Sequence, residues 1–300
     1  MSHPHTRHGA AFNRRGAVFM VLSMAGFAVE DSLLKIAAVS LPPGQVLITF
    51  GVLGTMTFAV LALMAGEAPL TRAMLGRPMI LRSLSEVTGR LFYMLAIALT
   101  PLSTASAILQ ATPLVVMVGA AVLFGESIGP RRWLAVALGF GGVLLILRPG
   151  TEGFGALSLL AIMAMLGFAG RDLATRAAPV SLSFRQLGVV GFSMLIVAGL
   201  IVLPFGGPMA APDGATWAGL LAAAAAGVCA YTFLTVAMRT GQVGAVTPFR
   251  YTRLIFAMVA GVAIFGETPD RWTIIGSAVI ILAGIAALRL SRQPARAQAA

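Results

Sequence analysis

GFAVEDSLLK, residues 26–35, returns as GFAGRDLATR at residues 167–176. Gly, Phe and Ala open both stretches, Asp31 recurs as Asp172, and a basic residue closes each, Lys35 in one and Arg176 in the other. The offset is 141 (167 − 26), and the same 141 separates Phe124-Gly125-Glu126 from Phe265-Gly266-Glu267 (267 − 126). Trp133 and Trp272 continue the series after a two-residue deletion in the intervening loop. Chance can supply one repeated tripeptide; two separated motifs at one offset mark a duplication. The chain reads as two similar halves.

Composition says what surrounds them. Of 300 residues, 58% are hydrophobic and 10% charged, whereas a soluble domain carries about 25% charged residues. A soluble fold is excluded on that ground. The formal charge of +11 would suggest nucleic acid in a soluble protein. Here the basic residues stand at the ends of apolar segments, where they orient helices against a bilayer. The expected surroundings are lipid, and no nucleic-acid partner is expected. The single cysteine, Cys229, excludes an internal disulfide.

A membrane-spanning helix needs roughly 20 mostly apolar residues. Cutting at charges, Pro and Gly clusters gives ten segments: 17–38, 44–64, 78–98, 103–123, 132–147, 154–175, 184–204, 215–237, 244–264 and 271–290. The expected organisation is a cytoplasmic tail (1–15), one five-helix repeat (16–148), a second (154–288) and a polar cytoplasmic tail (291–300). The basic start (Arg7, Arg14, Arg15) runs into an apolar segment too long for a secretory leader, so it reads as the first spanning helix. With the N-terminus inside, thirteen of the 21 Lys and Arg fall on the cytoplasmic side. Three (Lys35, Arg148, Arg271) fall on the other side and five within segments. Both termini are therefore expected in the cytoplasm. Five helices per half is odd, so the second half must enter the membrane upside down. The expected fold is an all-α integral membrane protein of ten transmembrane helices in two inverted five-helix repeats. Secondary transporters of that architecture place substrate near the midplane between repeats.

The Phe-Gly-Glu motif before the last helix of each half, with PLSTASAILQATP at residues 101–113, resembles the drug/metabolite transporter superfamily in its EamA-type branch. The resemblance runs from about residue 16 to 288. It implies a multi-pass transporter of the bacterial inner membrane. It leaves the cargo open among amino acids, nucleotide-like metabolites, riboflavin, sugars and drugs.

Charges inside the membrane are costly and are kept for packing or function. Glu86 and Arg90 share a face of the third helix, i and i+4, roughly 12 and 18 Å from Pro78 at 1.5 Å per residue. Tyr93 continues that face. Arg250 and Arg253 share a face of the ninth helix, with Tyr251 turned away from both. Arg253 and Glu86 lie at similar depth, so an interhelical pair is expected, serving either as a salt bridge or as an anion site. Gln110, before Pro113, lies where the fourth helix should bend and free carbonyls; Pro248 does the same in the ninth. The candidate substrate-binding set is Glu86, Arg90, Tyr93, Gln110, Arg250, Tyr251 and Arg253. Asp31 with Lys35, and their repeat mates Asp172 with Arg176, are expected as i,i+4 pairs acting in coupling or gating. Arg171, at the position equivalent to Glu30, breaks the symmetry. Glu126 and Glu267 are expected to cap the helices that follow them.

His3, His5 and His8 are confined to the N-terminal tail, and no metal-site or nucleotide-binding motif is found. No cofactor, metal or catalytic residue is expected. Any driving force would be an ion gradient, with protons the candidate, or a substrate gradient. The expected function is alternating-access transport of a small metabolite, with export of amino acids or similar carboxylate-bearing compounds as the first reading. Uptake of a cofactor-like compound, riboflavin or a nucleoside derivative, is the alternative. A membrane sensor or scaffold would survive neutralising every buried charge. A membrane-embedded transferase or hydrolase would need clustered acids at one interface, and here they are scattered.

Overall fold

The computed structural model describes residues 5–125, 129–148, 155–176, 181–240 and 247–290. The described residues form helices joined by turns and short loops, without strands. The helices are α1 (His5–Ser40), α2 (Pro43–Met64), α3 (Arg77–Leu99), α4 (Leu102–Leu109), α5 (Thr112–Phe124), α6 (Pro130–Leu147), α7 (Ser158–Arg176), α8 (Phe184–Val202), α9 (Gly214–Thr240), α10 (Thr252–Phe265) and α11 (Arg271–Leu290). The first helix starts at His5 rather than near residue 17, so it runs through most of the stretch read as a tail.

Among the described residues, six helices are long and apolar enough to cross a membrane: α1, α2, the α4–α5 stretch, α7, α8 and α9. The third helix is 23 residues long, but Arg82, Glu86 and Arg90 interrupt its apolar run. Much of the outer surface is aliphatic: Met56, Leu63, Val122, Leu134 and Val259 are each more than half exposed. Large exposed apolar area of this kind needs lipid around it.

Local signals place the ends. Prolines sit in the first turns of α2, α3, α5 and α6, where a missing N–H costs nothing. The Phe-Gly-Glu motifs close α5 and α10 through Gly125 (φ 66°) and Gly266 (φ 62°), both left-handed caps that a side chain would strain.

The apolar stretch of α4 and α5 is broken, and α10 opens on a tighter turn. α4 stops at Leu109 and α5 begins at Thr112, with Pro113 in its first turn. A 3-10 turn, Thr247–Tyr251, precedes α10. The break and the turn stand at Gln110 and Tyr251, again 141 apart (251 − 110).

Helices pair as α1 with α9, α3 with α7, α2 with α8, α6 with α11, and α4 with α10. Small residues allow the close approaches that lipid-embedded helices need. A Cβ on Gly26 would stand 2.9 Å from the Ala230 Cβ, and one on Gly167 would overlap the Gly89 backbone. These two contacts are related by the offset: 26 + 141 = 167 and 89 + 141 = 230.

Candidate functional site: a buried charge network

α3 carries Arg82, Glu86 and Arg90 on successive turns of one face, and Glu86 is the hub. Its Oε1 lies 3.2 Å from Arg90 Nε and 3.4 Å from Arg171 Nη1; its Oε2 lies 3.7 Å from Arg82 Nη2. The Glu86 side chain is 3% exposed. A carboxylate in that position takes its stability from three guanidiniums, and each of them depends on it.

The network extends in two directions. Arg90 Nη1 reaches Glu30 Oε1 of α1 at 3.1 Å. Arg171 holds Asp172 Oδ1 through Nη2 at 2.8 Å and Nε at 3.0 Å. Asp172 Oδ2 lies 3.8 Å from Arg250 Nη2. Arg82 Nε donates to Thr175 Oγ1 at 3.2 Å. Phe168 sits beneath this group, with the Arg171 guanidinium 4.8 Å and that of Arg90 5.8 Å from its ring centre, a stacking that suits guanidinium out of water.

A second group lies one residue along α1. Asp31 Oδ2 accepts from Arg253 Nη2 at 2.7 Å and from Tyr93 Oη at 2.9 Å. The Arg253 guanidinium rests over Phe27 (5.0 Å) and Tyr93 (5.5 Å). Glu30 and Asp31 line a small cavity with Arg90, Tyr93, Leu34, Leu47 and neighbours. The break after α4 meets the turn before α10, where Gln110 Nε2 donates to the Arg250 carbonyl at 3.2 Å.

Glu86, Arg90, Tyr93, Gln110, Arg250 and Arg253 are thus brought into one connected region, and Asp31 and Asp172 join it. Tyr251 is not: its hydroxyl packs against Gly284 of α11 and has no hydrogen-bond partner. The expected Glu86–Arg253 pair does not form, because Arg253 is taken by Asp31 and Glu86 by three other arginines.

The expected i,i+4 pair of Asp31 with Lys35 is also replaced. Lys35 Nζ turns toward the end of α3, donating to the carbonyls of Thr100 (2.7 Å) and Ile97 (3.0 Å), and lies 3.6 Å from Glu267. Asp172 takes Arg171 and Arg250 as partners; the Arg176 side chain lies outside the described residues. Glu267 does not cap the helix after it. It accepts from Leu102 N (2.6 Å) and Ser103 N (3.0 Å), the start of α4 in the other half. Asp270 caps α11 instead, accepting from Thr273 N at 2.8 Å. Glu126 lies outside the described residues.

Sequence reading did not place Glu30, Arg82 or Arg171 in the site. All three are charged residues within apolar segments, and that was the available signal. Among the described residues, no group of three or more His, Cys, Asp or Glu could hold a metal ion.

The model of the EamA-like transporter family matches residues 14–148 and 153–289. A pseudopaline exporter of Pseudomonas aeruginosa is 30% identical over 93% of this chain and 98% of its own length. A riboflavin transporter of Rhizobium johnstonii is 31% identical over 64% of this chain, and the match spans 64% of that relative. An S-adenosylmethionine uptake transporter of Rickettsia felis is 28% identical over 67% of this chain and 68% of its own length. A solved structure known only as "Crystal structure of protein" shares the fold, with a TM-score of 0.58 at 20% identity over 90% of this chain and 97% of that one.

Proposed function

This chain belongs to the EamA-like transporter family, and on that premise we propose that it is a secondary transporter that alternates access to the charge network around Glu86 and Asp31. The proposal includes ten spans in two inverted five-helix repeats, with both termini in the cytoplasm of a bacterial inner membrane, an architecture of the kind many secondary transporters use. The Gly26–Ala230 and Gly167–Gly89 contacts support it, since exchanging the halves turns one into the other. So does the pairing of α1 with α9 and α3 with α7. No catalytic chemistry is assigned to the chain.

The observation that carries the reading is the network itself. Residues of both halves supply it, and the break after α4 meets the turn before α10 at its edge. Five guanidiniums (Arg82, Arg90, Arg171, Arg250, Arg253) face four carboxylates (Glu30, Asp31, Glu86, Asp172). One positive charge is left over, and it suits a cargo carrying a carboxylate or phosphate. Arg250 and Arg253 are the proposed anion contacts. Arg90, Tyr93 and Gln110 shape the site, and Asp31, Lys35, Asp172 and Arg176 act in coupling or gating. Export of an amino-acid-like compound is the first reading, because the exporter relative matches over nearly its full length. Uptake of a cofactor-like metabolite is the second, favoured by the riboflavin and S-adenosylmethionine transporters among the relatives.

The test is release from proteoliposomes loaded with a mixed pool of amino acids and metabolites, with and without a pH gradient. Selective release above that of empty liposomes supports transport and names the cargo. Dependence on the gradient supports proton coupling. No release of any compound by folded protein counts against the proposal.

A further inference from the structure

Two buried glutamines, one offset apart, fasten opposite ends of a single helix pair. Gln45 is the third residue of α2 and Gln186 the third of α8, and their separation is again 141 (186 − 45). Both side chains are buried. Gln45 reaches the segment that follows α8: its Nε2 donates to the Ala210 carbonyl at 2.6 Å, and its Oε1 accepts from Ala210 N at 3.0 Å. Gln186 reaches the segment that follows α2, where its Nε2 donates to the Ala68 carbonyl at 2.9 Å. The two carbonyls are repeat mates to within one residue (68 + 141 = 209). The start of each helix is thus clasped to the chain leaving the other, and the two helices run antiparallel.

Between the clasps the pair is in backbone contact. A Cβ on Gly44 would stand 2.7 Å from the Leu203 backbone, one on Gly51 2.9 Å from Ile196 N, and one on Gly199 2.6 Å from the Gly44 carbonyl oxygen. Glu67 adds to the Gln186 end, accepting from Arg185 Nη1 at 2.7 Å and from Ser183 Oγ at 2.5 Å. Opening either clasp would leave a buried carboxamide and a peptide group without partners, which is costly.

With inverted repeats, the second access state follows when the two halves exchange conformations. A contact whose repeat mate is formed in the same state survives that exchange, because each takes the other's place. The two clasps are such a pair. We infer, on the transporter reading above, that α2 and α8 form a spine whose clasps both stay closed throughout the transport cycle. The two helices belong to different halves, so the halves do not part as whole bodies. Each face of the site opens instead by movement of other helices against this spine.

The test bridges both clasps at once in the full chain. Gln45→Cys/Ala210→Cys at one end and Ala68→Cys/Gln186→Cys at the other, in a Cys229→Ser background, are joined by a reducible bifunctional maleimide. Release from proteoliposomes loaded with the mixed pool of amino acids and metabolites is followed before bridging, with the bridges formed, and after they are cut. Release should be undiminished with both bridges intact. Loss of release on bridging, regained on cutting, would overturn the inference and leave the transporter reading standing. Absence of release from the unaltered chain would be the failure of that reading, and the inference would fall with it. Amide exchange needs no substitution and decides the matter if the cysteine variants fail to fold. In the unaltered chain, Ala210 N–H should exchange about tenfold or more slowly than in an unstructured chain, as for a hydrogen bond that opens rarely. Exchange at the unstructured rate would overturn the inference.

Discussion

At the scale of single residues, Glu86 behaves as the electrostatic centre of the molecule. Replacing it with Gln leaves Arg82, Arg90 and Arg171 without their shared anion, and breaking a buried pair costs about 3–5 kcal/mol. Glu86→Gln is expected to lower the thermal midpoint sharply. Removing a competing charge as well should soften the loss, so Glu86→Gln/Arg171→Gln should lose less than the sum of the single changes. Strict additivity would show that the two are not coupled. Arg253→Lys keeps the charge but gives up the planar fork that serves Asp31 and stacks on Phe27. Release of cargo should fall by about tenfold or more with little change in midpoint. The charged positions in α3 and α10 were legible in the sequence because apolar segments do not carry charge without cause. Their partners were not. Depth along a helix says which charges share a level, and nothing about the face each helix turns to its neighbour, so Glu86 and Arg253 were paired although Asp31 holds Arg253.

At the scale of elements, close helix contact through glycine is the main packing device. Gly167→Ala should force α7 away from α3, because the new Cβ meets backbone atoms of α3, at Gly89 and Ser85, rather than a side chain that could move aside. A loss of about 1–3 kcal/mol is expected, as for other overpacked sites. Gly141, on α6, has nothing within 4 Å of an added Cβ. Gly141→Ala should be neutral or should stabilise by about 0.5–1 kcal/mol through reduced backbone freedom. Thermal midpoints of the two variants check the contrast, and equal behaviour would contradict the packing account. The helix bounds were largely readable from apolar runs, prolines and the glycine of the Phe-Gly-Glu motif. The role of the motif's acid was not: Glu267 passes over α11 and caps α4, a contact across 165 residues of chain that no local rule supplies.

At the scale of the whole molecule, Glu267 and Lys35 tie together the end of α3, the start of α4, α1 and the end of α10. The charge bias of the sequence assigns this end to the outer face, and in the proposed orientation the molecule is closed there. Alternating access requires this end to open when the site faces out. Ser103→Cys should react slowly with an impermeant maleimide from outside in the unaltered background and faster once Glu267→Ala removes the cap. The duplication is legible in the sequence, because one offset of 141 relates motifs nearly a hundred residues apart. The asymmetry that gives the site its chemistry, Glu30 against Arg171, shows there only as a mismatch between the halves.

The most direct test of alternating access bridges the outer end. Lys35→Cys/Glu267→Cys, in a Cys229→Ser background, would be joined by a reducible bifunctional maleimide and assayed for cargo release in proteoliposomes. Release should stop when the bridge forms and return when it is cut. Undiminished release with the bridge intact would contradict the account, because the outer end would then have no need to move.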